Sequence, residues 1–116
     1  MTPGEAIEQA RAGQLLPVYL VVGEERLLRD MVVEALRTAS LAGGLADFNE
    51  DKLTAGEVAV DAVVSAARTV PMMAKRRFVL VRSLERWDAK EGEGTPLDTI
   101  AEYAGRPVDS TCMVLA

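Results

Sequence analysis

The sequence predicts an α/β domain with a parallel sheet as the middle of three layers and helices on both faces. Three observations carry this. Short apolar runs rich in β-formers occupy positions 17–22, 78–81 and 111–115, and they lack the alternating polar residues of a half-exposed strand, as strands covered on both sides do. Between them lie stripes at helical spacing: Leu28, Met31, Val32 and Ala35, then Val60, Val63, Val64 and Ala67. Glycines and prolines punctuate the boundaries, with no internal repeat and no low-complexity stretch. Strands linked by helical crossovers run parallel.

Taken in order, Thr2 reads as an N-cap and Pro3 as the first helical residue, with the helix running to about Ala12 and closed by Gly13. The run 17–22 is a buried strand ended by Gly23. Glu24 and Glu25 open the next helix, where their charge suits its N-terminus, and Gly43-Gly44 ends it. Residues 46–49 are expected to form a short second strand. Thr54-Ala55-Gly56-Glu57 matches a capping box, and the helix behind it is expected to stop at Pro71. The third strand is 78–81. A charged surface loop follows over 85–94, with Trp87 inside it. Thr95-Pro96 restarts a helix whose face carries Leu97, Ile100, Ala101 and Ala104, and 111–115 is the fourth strand.

A chain of 116 residues that is 49% hydrophobic can bury a real core, and only 4% aromatic content makes that core mostly aliphatic. The net charge of −5 argues against gripping nucleic acid by bulk electrostatics. One cysteine, Cys112, and no histidine exclude an intramolecular disulfide, a Cys/His zinc site and any His-activated nucleophile. Cys112 lies in an apolar strand and reads as a buried structural thiol. No basic-then-apolar leader opens the chain and no run reaches membrane-spanning length, so a cytoplasmic protein with no membrane partner is expected. The chain stops inside an apolar run at Met113-Val114-Leu115-Ala116. Residues 1–116 are therefore expected to be one domain, cut short, of a longer protein.

Ligands on open α/β sheets bind at the carboxyl ends of strands. After the first strand stands Gly23-Glu24-Glu25-Arg26. A phosphate loop needs spaced glycines, then Lys and Ser/Thr; this turn is too short and sets two carboxylates where phosphate would lie. At the end of the third strand a nucleotide hydrolase needs magnesium-holding carboxylates, and the chain has Arg82-Ser83. No cofactor and no metal are expected. A phosphoacceptor receiver domain would need an aspartate where Arg82 stands.

The stretch before the third strand is unusual. Pro71-Met72-Met73-Ala74 precedes the cations Lys75-Arg76-Arg77. Two adjacent long apolar side chains in a loop are covered either by the domain's own core or by a partner, and composition alone leaves both open. The cations read as a solvated edge, with a partner or DNA contact as the sharper alternative. Trp87 either anchors a partner or folds back over the sheet end.

Tyr19-Leu20-Val21-Val22-Gly23-Glu24-Glu25 with Leu28, then Phe48-Asn49, Thr69-Val70-Pro71-Met72-Met73 and Arg77-Phe78-Val79-Leu80-Val81-Arg82 resemble the N-terminal domain of the delta subunits of bacterial DNA polymerase III clamp loaders. The likeness runs from about Leu15 to the end. It implies an AAA+-like, P-loop-like domain without a functional phosphate loop, followed in the full protein by a lid and a collar domain. It implies no catalysis in this domain, within a holoenzyme that is a DNA-directed DNA polymerase and nucleotidyltransferase complex. Met72 and Met73, flanked by Pro71 and Ala74, occupy the tip that in this family inserts an apolar pair, often Leu or Phe, into a pocket of the ring-shaped sliding clamp (beta) to open it during DNA replication. Lys75 and Arg76 are candidate partner or DNA contacts. Implied partners are the clamp, the ATP-using motor subunits (gamma/tau), delta-prime, and DNA through the assembled complex. The alternative is a nucleotide- or phosphate-using α/β enzyme whose catalytic residues lie beyond residue 116.

Overall fold

The computed structural model describes residues 1–88 and 95–116. The elements are α1 (Pro3–Arg11), β1 (Val18–Leu20), α2 (Arg26–Leu41), α3 (Ala46–Asn49), β2 (Glu50–Thr54), α4 (Val60–Ala67), β3 (Arg77–Arg82), α5 (Glu85–Asp88), α6 (Pro96–Gly105) and β4 (Thr111–Leu115). The four strands form one sheet in the order β1-β4-β3-β2, and every neighbouring pair is parallel. The predicted fold class therefore holds.

Strand alternation divides the core in two. Phe78 and Leu80 of β3, with Cys112 and Val114 of β4 and Tyr19 of β1, pack against Ala6 and Ala10 of α1 and Val32, Val33 and Leu36 of α2. Val79, Val81, Met113 and Leu115 point the other way, onto Val63 and Ala67 of α4, Trp87 of α5, and Ile100 and Tyr103 of α6. The two central strands are buried on both faces, as an uninterrupted apolar run requires. Full burial of each aliphatic side chain there contributes about 1.5–3 kcal/mol.

The local signals at the starts of α1 and α6 and at the end of α1 were legible. Thr2 Oγ1 accepts the Glu5 N–H (3.1 Å) with Pro3 behind it, and Gly13 takes the left-handed conformation after α1 (φ 78). Thr95 and Asp98 form a reciprocal capping box at α6.

Several expectations need correction. The first strand is only three residues long and lies at the sheet edge; Tyr19 packs into one core layer and Val18 against the other, but Leu20 is 62% exposed. Residues 46–49 are a helical turn, and the second strand is Glu50–Thr54. That strand is the opposite edge, and its charges are used in place: the Arg37 guanidinium of α2 donates to Glu50, and Arg77 to Asp51. Glu50 also holds the Arg37 guanidinium above its ordinary pKa range, chiefly through the side-chain hydrogen bond. Thr54 does not cap a helix. It ends β2, its carbonyl accepts the Glu57 N–H (3.1 Å) in a turn where Gly56 has φ 87, and α4 starts behind Ala59 with no side-chain cap. That helix ends at Ala67, before Pro71 is reached.

Glu24 and Glu25 stand outside the first turn of α2, and Glu25 makes no capping bond. The buried stripe of α2 is Val32, Val33, Leu36 and Ser40, with Leu28 and Met31 exposed. In α6 the inner face is Ile100 and Tyr103, while Ala101 and Ala104 are exposed; Tyr103 also accepts the Val108 N–H (3.2 Å) and sits 5.0 Å beneath the Arg68 guanidinium. The first four residues of the expected 85–94 loop form α5, which turns Trp87 into the core. The rest of that loop, 89–94, lies outside the described residues.

Candidate partner-docking site

At the carboxyl end of the sheet, Gly23 (φ 145) leads through Glu24 and Glu25 into α2. Arg82 ends β3, is exposed, and approaches Asp30 at 3.9 Å; Ser83 follows with φ 63. Among the described residues no group of three or more His, Cys, Asp or Glu side chains could hold a metal ion. No helix described is long and apolar enough to cross a membrane.

The amino end of β3 is built differently. The chain leaves α4 and reaches β3 through residues 70–76. Val70 is 79% exposed, Met72 53% and Met73 82%. Pro71 and Ala74 are half-buried, Lys75 is exposed and Arg76 half-buried. The two methionines therefore lie outside the domain core. Met73 has φ 53, a left-handed conformation that costs an L-residue about 1–2 kcal/mol, so the neighbouring structure must hold it.

What holds it comes from α3 and β2. Asn49 is fully buried. Its Nδ2 donates to the Met72 carbonyl (2.9 Å) and to the Leu45 carbonyl (2.9 Å), and its Oδ1 accepts the Met72 N–H (2.6 Å). Arg77 braces the same turn: it donates to the Phe48 carbonyl (2.9 Å) and pairs with Asp51. The expected solvated triplet is thus divided, because Arg77 is buried and structural while Lys75 remains in water. Gly44 matters here too. A Cβ on it would stand 2.5 Å from the Ala74 Cβ, so only glycine lets the loop seat this closely.

Sequence reading placed the methionine pair and its flanks but missed Asn49 and Gly44 as supports. An asparagine between Phe48 and the charged run Glu50-Asp51-Lys52 carries no periodicity signal. Its value lies in a contact 23 positions away. Chemically, the loop presents polarizable apolar surface beside cations, with no nucleophile or acid–base pair. Cys112 is no candidate: burial pushes its thiol up to about 11, against a smaller opposing hydrogen bond from Ser40.

The chain is 28% identical over 108 residues to "DNA polymerase III subunit delta" of Bacillus subtilis, a match covering 90% of this chain and 31% of that protein. The solved structure of the Bacillus subtilis DNA clamp loader delta protein superposes with a TM-score of 0.86 at 23% identity, over 98% of this chain and 34% of that one. The fold is accordingly AAA+-like, and the chain spans about a third of the length of these relatives. Residues 19–116 match the family model described as DNA polymerase III, delta subunit, and the chain belongs to that family.

Proposed function

We propose that this domain docks onto a ring-shaped sliding clamp through the loop 70–76, with Met72 and Met73 entering an apolar pocket, and that it favours the open ring. The observation that carries this reading is the exposure of both methionines on a loop braced from beneath. Burying a methionine side chain contributes about 1.5–3 kcal/mol. The pair together is therefore worth on the order of a hundredfold or more in affinity. Pro71 and Ala74 form the base of the tip, and Lys75 and Arg76 contact the rim of the partner. Opening follows if the domain binds the opened interface more tightly than the closed one, because a ligand shifts a conformational equilibrium only by its differential affinity. ATP is then handled by the motor subunits, and assembly with these and delta-prime brings the domain to DNA.

The nucleotide-using alternative is disfavoured by two carboxylates, Glu24 and Glu25, in the turn where phosphate would sit, and by Arg82 where a magnesium-binding carboxylate is needed. Titration of the chain onto an immobilised bacterial sliding clamp tests the reading. Saturable binding that Met72→Ala, Met73→Ala weakens about a hundredfold is expected. Absence of binding by the unaltered chain overturns it.

A further inference from the structure

We infer that Asn49 is the positioning residue of the tip: its side-chain amide holds Met72 in the conformation that the partner meets. This rests on the docking role proposed above. Among the described residues, positions 70–76 make two hydrogen bonds, both with the Asn49 amide: Nδ2 donates to the Met72 carbonyl and Oδ1 accepts the Met72 N–H, and no backbone–backbone bond reaches this stretch. Those two bonds take the N–H and the carbonyl of one residue, Met72, so they fix both peptide planes that flank its side chain. This is the pairing a neighbouring strand would supply, delivered by a side chain. The third bond ties the amide to the Leu45 carbonyl in its own turn, which stops the side chain from rotating away. The turn is itself held by Arg77 on the Phe48 carbonyl. The brace therefore runs from β3 through α3 back to the loop that precedes β3.

The physical consequence is preorganisation. A free loop of this length loses backbone freedom on docking, and that loss subtracts from affinity. A loop already fixed at Met72, with Met73 held left-handed beside it, loses less. An asparagine buried for packing alone would support the fold without this coupling.

The test uses Asn49→Ala and Asn49→Asp, each measured below its melting range with full helical signal. The first readout is the exchange rate of the Met72 amide in the unaltered protein, where the Asn49 carbonyl should protect it. Exchange there at the rate of an unstructured peptide overturns the inference, whatever the variants do. In Asn49→Ala the Met72 amide should exchange faster while sheet amides such as Val79 and Val114 do not. Binding to an immobilised sliding clamp should weaken about tenfold, equivalent to about 1.4 kcal/mol. Asn49→Asp gives a signature that a purely structural role lacks. At neutral pH its carboxylate accepts from Met72 N–H but donates nothing to the Met72 carbonyl. Protonation restores a donor, so binding relative to the unaltered protein should recover as pH falls. Folded Asn49→Ala that binds within twofold of the unaltered chain contradicts the inference. If the unaltered chain does not bind the clamp at all, the docking role fails, and the exchange data still decide whether Asn49 fixes the tip.

Discussion

At the carboxyl end of the sheet, β1 runs into Gly23, Glu24 and Glu25, and β3 runs into Arg82 and Ser83; at the amino end, β3 is entered through Val70, Met72 and Met73, all exposed. The carboxyl end is where open α/β sheets usually hold ligands. Here that end carries the wrong charges for phosphate and magnesium, while the opposite end carries an apolar loop on a braced base. The difference teaches that a fold's customary site and a chain's working site are separate questions. The sheet serves as a mount, and the buried polar contacts of Asn49 and Arg77 lie at the end that carries the exposed methionines.

That contrast can be broken most forcefully inside the mount. Phe78 is fully buried and begins five positions after the exposed Met73. Phe78→Ala should cost about 3–5 kcal/mol, read by denaturant unfolding; a loss below about 1 kcal/mol would mean that β3 is not the centre of the core. The sheet's dryness is tested at Cys112. Its thiol is raised from 9.0 to about 11 by burial, so its contribution is fully present below pH 9 and is lost as pH rises through about 11. The stability of the unaltered protein relative to Cys112→Ala should therefore fall over that window, by up to about 2–3 kcal/mol. In the native state at pH 8 the thiol should resist alkylation.

The boundary between mount and tip is sharpened by two variants of one basic triplet. Arg77→Met removes the pair with Asp51 and the bond to the Phe48 carbonyl, and should cost about 1.5–3 kcal/mol. Lys75→Ser with Arg76→Ser should change stability by less than about 1 kcal/mol, with thermal melting as the check. The smallest effect is expected at the carboxyl end, where calorimetric titration with ATP and magnesium should give no heat of binding. A micromolar dissociation constant would overturn the account of that end.

The parts of this molecule that could be read from the chain are those where a residue's neighbours in sequence decide its state. The run 78–81 and the Thr95-Pro96 cap are of this kind. The charged strand Glu50–Thr54 was not legible, because an edge strand satisfied by Arg37 and Arg77 needs no apolar pattern. Trp87 sits in a charged stretch, yet one turn of α5 carries it into the core. At the candidate site the exposed pair was visible as an anomaly of composition. Its support was not, since Asn49 and Gly44 act through contacts with Met72 and Ala74 that only the folded chain brings together.

The central claim is that Met72 and Met73 belong to a partner and not to the fold. It is tested most directly by measuring thermal melting and sliding-clamp affinity on one preparation of Met72→Ala, Met73→Ala. The account predicts an unchanged melting temperature and affinity lower by about a hundredfold or more. Early melting, reflecting a loss of about 2–5 kcal/mol per site as core methionines would give, or clamp binding at full strength, would contradict it.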